Sequence, residues 1–155
     1  MENFMKVNIG PYLEEDKKRK VKIKVHGYDS WSADSTLAMI IAPVLKELRD
    51  QPYGYPSQFE QEDDETGEKG TAAWVEVIDK MIWAFEQCNI NYVDDYCTGD
   101  HDRYFKPCED NPEYSTWEKG PNHTFKMDMQ GIAAHEEKMQ EGFDLFAKYY
   151  RNLWS

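Results

Sequence analysis

Three clusters of side chains in this 155-residue chain have the types and spacing to do chemistry. The first, Thr98-Gly99-Asp100-His101-Asp102-Arg103, contains the His-Asp pair found in metal phosphohydrolases. With Cys97 and Cys108 nearby it also has atoms suited to zinc. The spacing argues against both uses, because His26, His123 and His135 supply no HxxxH or HExxH partner and the Cys97-His101-Cys108 interval is wrong for zinc. The second cluster, Lys119-Gly120-Pro121-Asn122-His123-Thr124-Phe125-Lys126, gathers amide, hydroxyl, imidazole and ammonium donors without a carboxylate, which suits an anion. A Gly-Pro turn stabilised by Asn and Thr accounts for the same residues equally well. The third, His26-Gly27-Tyr28-Asp29-Ser30-Trp31, combines ring faces, hydroxyls and a carboxylate just before a helix N-terminus that favours anions.

Nucleophilic and nucleotide-hydrolysing motifs are missing: there is no GxSxG elbow, Walker A loop or GxGxxG turn. His135 lies on an apolar helical seam and reads as a core histidine rather than a base. No catalytic residue, metal site or cofactor is therefore expected. Arg103 is the one guanidinium between residues 51 and 119, available to a phosphate or paired with a neighbouring carboxylate.

The charge that such a ligand would meet is uneven. The net charge is −12, yet residues 51–119 hold five Lys and Arg against 17 Asp and Glu, whereas residues 1–50 sum to +1 and 120–155 to −1. That balance excludes a protein that coats duplex nucleic acid through many phosphates. Screening over about 8 Å lets the near-neutral ends still build an anion site.

The elements that would position these clusters follow from periodicity. Met5–Ile9 and Lys20–His26 alternate polar and apolar side chains, so two strands pair as a hairpin across the charged tip Glu14–Arg19. Leu37, Ile40, Ile41, Val44, Leu45 and Leu48 mark a first helix, capped by Ser32 or Asp34 and kinked or split at Pro43. Trp74, Val77, Ile78, Met81, Ile82 and Phe85 mark a second, from Gly70-Thr71 to Cys88-Asn89. Ile132, His135, Met139, Gly142, Phe146, Tyr149 and Leu153 form the seam of a third, with Asp128 as its cap. Trp83 falls off the second stripe and reads as cover for a core end or a subunit contact.

Two long connections remain. Phe59–Lys69 is expected to be partly mobile; Ile90–Met127 carries seven Tyr, Trp and Phe and is expected to pack on the bundle. The expected architecture is one α+β domain over residues 1–155: an N-terminal β-hairpin packed on a bundle of about three helices, with a long aromatic-rich connection. Three cysteines without CxxC spacing read as reduced thiols. No segment approaches a membrane span or a signal peptide, so a cytoplasmic protein with no membrane partner is expected.

Segments along nearly the whole chain resemble, in order, a widespread family of tailed-phage proteins: VNIGPY, KIKVHGYDSWSADSTLAMIIAPVLKEL, IDKMIWAFEQ, YCTGDHD, GPNHTFKMD and GFDLFAKYYRNLW. Family members tend to have a helical insertion where this chain has Leu13–Lys20, and a Lys-His-Gly-Ser-Pro-like segment where it has Gln51–Pro56. The resemblance links the family to phage anti-CBASS sponges, which sequester cyclic oligonucleotide immune signals without cleaving them. It implies a non-enzymatic binder of a cyclic dinucleotide such as cyclic GMP-AMP. No ligand residues carry over from the family. On chemistry alone, bases would stack on Tyr28, Trp31 or Tyr104, with Arg103, Asn122, Thr124 and Lys126 near the phosphates. Two competing readings stay open: an acidic DNA mimic or protein-binding inhibitor of a host factor, and a metal-dependent phosphodiesterase using Asp100, His101 and Asp102. A homodimer or higher homo-oligomer is expected from the apolar surface at Trp83 and the C-terminal Tyr149–Trp154.

Overall fold

The computed structural model describes residues 5–11, 19–52, 54–111 and 113–154. Most of the expected hairpin tip, with Lys17 and Lys18, lies outside them. Three helices form the body: α1 (Ala33–Asp50), α2 (Glu68–Gln87) and α3 (Met129–Tyr149). Helix α2 packs on both others, because its stripe Trp74, Ile78, Met81, Ile82 and Phe85 is buried along its whole length. Ala38, Ala42 and Leu45 of α1 and Tyr149 of α3 complete the core. Burial of each large side chain here contributes roughly 1.5–3 kcal/mol. The α2–α3 contact is closest at Gly142, where a Cβ would stand 2.4 Å from that of Ala84 and 2.6 Å from the Lys80 carbonyl oxygen.

Helix ends follow their local chemistry. The Asp128 carboxylate accepts from the backbone N–H groups of Gln130 and Gly131 and caps α3 as expected. Helix α2 starts at Glu68, two residues before Gly70, because Gly67 takes a left-handed φ of 73° and Asp64 accepts from the Gly70 N–H at 2.8 Å. That contact ties down part of the acidic connection, as do the 3-10 turn Ser57–Phe59 and the packing of Phe59 on Trp74 and Tyr149. The expected split at Pro43 does not occur: α1 runs through it. Pro43 and Met39, whose carbonyl loses its donor, both lie on the exposed side, so water meets the orphaned group.

The strands form three antiparallel two-stranded ladders, and the architecture is α+β. Strands β1 (Lys6–Ile9) and β2 (Val21–Lys24) pair as expected, with Lys6 opposite Lys24 and Ile9 opposite Val21. All eight of their residues are exposed, so the hairpin does not lie packed over the bundle. Within residues 97–127, β3 (Cys97–Thr98) pairs with β6 (Lys126–Met127) and β4 (Arg103–Pro107) with β5 (Ser115–Lys119). The aromatic-rich connection is thus a ribbon, and its outer part does not pack on the bundle: Phe105 is 78 % and Trp117 51 % exposed. Pairing satisfies the backbone without burying the side chains. Only the base of the connection reaches α3, where Tyr92 stacks on His135 at 4.1 Å and Tyr96 shares a hydrogen bond with its Nδ1. Trp83 joins that cluster, 5.0 Å from His135 and under the Lys138 ammonium. No helix among the described residues is long and apolar enough to cross a membrane.

Candidate functional site

The ribbon is interrupted between its two ladders, and the interruption carries the first two chemical clusters. Gly99 takes a left-handed φ of 80°, and Pro121 has no N–H for a ladder, so residues 99–102 and 120–125 leave sheet geometry together. They are stitched by backbone bonds: the N–H groups of Thr124 and Phe125 both donate to the Asp100 carbonyl at 3.1 Å, and Gly120 N–H donates to that of Asp102. The Asp102 carboxylate accepts from the Asn122 N–H at 2.8 Å, and its carbonyl accepts from His123 Nδ1–H at 3.0 Å. Asp102 therefore holds the Gly-Pro turn. The expectation that this turn gathers donors without a carboxylate needs correction, since Asp102 reaches it from across the ribbon.

Beyond the interruption, Arg103 stands opposite Lys119 in the β4–β5 register, on the face that also carries the Phe105–Trp117 pair. The guanidinium lies over the Trp117 ring, 4.2 Å from its centre, and 5.9 Å from that of Phe125. Arg103 has no carboxylate partner, and neither Arg103 nor Lys119 makes a side-chain hydrogen bond or ion pair among the described residues. Two unpaired cations facing each other across a ladder repel, so the free ribbon lacks an anion at this point. On the adjoining loop His101 stacks on Phe125 with 3.6 Å between ring centres, and His123 lies edge-on to it at 5.9 Å. Contact with the neighbouring rings strips water from His101, and the charges of Arg103 and His123 add to that; together they lower its pKa below 6.5. Arg103 and Lys119 thus bring two cations to one face of the ribbon, although the surrounding third of the chain is strongly acidic.

The sequence-selected residues divide into two places. Arg103 sits at the centre of the cluster; Lys126, adjoining Phe125, is exposed and unpaired among the described residues. Asn122 and Thr124 lie on the interrupted turn with their polar groups partly committed, Asn122 through its backbone N–H and Thr124 through Oγ1, which accepts from Asp100 N–H at 3.0 Å. Tyr104 points to the other face of β4, where its hydroxyl donates to Glu118. That bond to a carboxylate holds the Tyr104 phenol above its usual pKa and turns it away from Arg103's face. The rings that share that face are Trp117 and Phe105, which the sequence reading placed only among packing aromatics.

Tyr28 and Trp31 are elsewhere, on the 3-10 turn Gly27–Ser30 and the residue after it, before α1. Trp31 is 88 % exposed and Tyr28 stacks on His26. No hydrogen bond or ring contact among the described residues joins them to the Arg103 cluster. Asp29 is consumed locally, its carboxylate accepting from His26 N–H at 2.7 Å and its carbonyl from Thr36 Oγ1–H. Nor do Asp100, His101 and Asp102 converge: Asp102 is engaged with the turn and His101 with Phe125. No group of three or more His, Cys, Asp or Glu side chains is placed to hold a metal ion among the described residues. Cys88, Cys97 and Cys108 are free thiols.

No family model, curated protein or solved structure matches this chain.

Proposed function

We propose that this protein binds, without cleaving, an anion that carries flat rings, and that the ligand is a cyclic dinucleotide. One observation carries the reading: the unpaired Arg103 guanidinium lies over Trp117 and opposite Lys119 on an exposed aromatic face. A phosphate between the two cations would relieve their repulsion and gain charge-assisted hydrogen bonds of roughly 1.5–3 kcal/mol each. Purine rings would stack on Trp117 and Phe105, where base–aromatic contacts contribute about 1–3 kcal/mol per base. Lys126 adds a further cation along the ribbon, and His101 and His123 add ring nitrogens that can hydrogen-bond. The narrower choice of a cyclic dinucleotide rests on the resemblance to the tailed-phage family. The reading of binding without hydrolysis draws support from the cluster itself, in which no three His, Cys, Asp or Glu side chains among the described residues are placed to hold a metal ion.

The test is direct. Purified protein is incubated with cyclic GMP-AMP and a panel of cyclic dinucleotides, freed of unbound ligand, heat-denatured, and the released material run by chromatography. Intact nucleotide is expected. Cleaved nucleotide would place the protein among phosphodiesterases, and no retained nucleotide would favour the protein-binding inhibitor class.

A further inference from the structure

The β1–β2 hairpin is an amphipathic arm whose strand residues are all exposed among the described residues. In its register Val7, Ile9, Val21 and Ile23 share one face, while Lys6, Lys22 and Lys24 share the other with Asn8. A lone two-stranded hairpin is marginal in water, and Lys6 directly opposite Lys24 weakens it further. Residues 5–11 and 19–25 carry five cations and no carboxylate. Lys6, Lys20, Lys22 and Lys24 make no side-chain hydrogen bond or ion pair among the described residues. Among the described residues these four lysines have no anion, and the apolar face has no cover.

The same chain displays both elsewhere. Between the second half of α1 and the C-terminal residues lies an open apolar groove of about 730 Å³, lined by Ile40, Val44, Leu48, Phe146, Tyr150 and Trp154. Glu47 stands on one rim. Tyr55 and Pro56 line a small cleft with Trp154, and Phe59 packs on Tyr149 at 5.7 Å, so the acidic run Glu60–Glu65 begins beside the chain neighbour of the groove residue Tyr150. Glu60, Glu62 and Glu65 have no ion-pair partner among the described residues. A basic, half-apolar arm and an apolar groove with Glu47 in its wall and an acidic run starting nearby are complementary in both respects.

We infer that the hairpin of one copy lays its Val7-Ile9-Val21-Ile23 face in the α1–C-terminal groove of a second copy, and receives that copy's hairpin in return. The long lysine stems fold over the edges of the arm toward Glu47 and the Glu60–Glu65 run, while their aliphatic carbons extend the apolar cover. Each copy has one arm and one groove, so a closed two-fold dimer leaves neither exposed. This dimer does not depend on the ligand proposed above.

Sedimentation of the full chain at tens of micromolar should give twice the 18.3 kDa chain mass. Ile23→Asp on the arm and Val44→Asp in the groove should each give monomers; the two residues are 56 % and 62 % exposed within one copy, so helical circular dichroism should be unchanged. Copies carrying Ile23→Cys mixed with copies carrying Val44→Cys should form a disulfide between chains under mild oxidation, at a level the wild-type cysteines do not reach. A wild-type monomer, a dimer that survives both aspartates, or a chain carrying both cysteines that closes on itself would overturn the inference.

Discussion

Arg103 faces Lys119 across the β4–β5 ladder, and its guanidinium is held by the π-face of Trp117 rather than by any carboxylate among the described residues. In a chain of net charge −12 that absence is informative. Glu118 is adjacent in sequence, yet the pleat sends it to the opposite face, where it takes Tyr104 and Lys106 instead. The alternation of a strand has separated the cation pair from its obvious neutraliser.

Substitutions at the pair should separate binding from folding. Lys119→Gln removes a like-charge contact, so the unliganded protein should melt at the same temperature or higher, while affinity for the retained nucleotide falls about tenfold or more. Arg103→Lys keeps the charge but loses the flat fork that stacks on Trp117 and should lose affinity by a comparable factor. Calorimetric titration beside a thermal melt reads both effects. Lower melting temperature with unchanged affinity in Lys119→Gln would remove the pair from the site.

Binding should carry a proton. In the free protein His101 titrates below 6.5, because neighbouring rings and the cations Arg103 and His123 disfavour its charged form. An anion seated between Arg103 and Lys119, near His101, favours the imidazolium, which raises this pKa, so complex formation takes up protons in the window between the two values. Affinity should therefore strengthen as pH falls through that window and level off on its alkaline side. His101→Gln should flatten the profile, and titration in two buffers of different ionisation enthalpy measures the uptake.

What was legible in the sequence divides along physical lines. A helix that buries one face must repeat apolar residues at three and four, so Leu45, Trp74, Ile78 and Ile132 announced the bundle, and Asp128 announced the start of α3 through the donors it satisfies. Arg103 stood out as the one guanidinium in acidic surroundings. Lys119 entered as one end of the donor-rich Gly-Pro segment and not as Arg103's partner, while Trp117 and Phe105 did not stand out, because aromatic content alone reads as burial. The signal that would have found them is cross-strand: short alternating runs at 103–107 and 115–119 place Trp117 and Lys119 on Arg103's face only once they are paired. Tyr28 and Trp31 were selected for ring chemistry, which contains no information on which loops the fold brings together.

The break in the ribbon depends on Gly99. Its φ of 80° disfavours any side chain, and a Cβ would sit 2.4 Å from the Thr124 carbonyl oxygen, a backbone atom that cannot swing aside. Gly99→Ala should cost about 1–3 kcal/mol and shift the loop that holds His101 against Phe125. Melting temperature and nucleotide affinity should both fall, unlike in Lys119→Gln. A variant that melts normally and binds normally would show that the interruption does not position the site.

Gly142 offers the contrasting case of a glycine needed for closeness rather than conformation. It lies inside α3, where alanine is the better helix former by about 1 kcal/mol, so local propensity favours the replacement. Packing opposes it. The added methyl would meet the Cβ of Ala84 at 2.4 Å and the Lys80 carbonyl oxygen at 2.6 Å, forcing α2 and α3 apart along the core that contains Ile78, Met81 and Phe85. Overpacking of this kind costs about 1–3 kcal/mol, which outweighs the propensity gain over most of that range. Gly142→Ala should therefore melt lower, by about 2–4 °C for each net kcal/mol in a chain of this size. Adding Ala84→Gly should return only part of the loss, because it clears the methyl contact and leaves the Lys80 carbonyl in place. Since neither residue belongs to the ribbon, nucleotide affinity measured well below the melting temperature should stay within about twofold of wild type. A Gly142→Ala protein that melts at or above the wild-type temperature would mean that the two helices can separate at this point without cost.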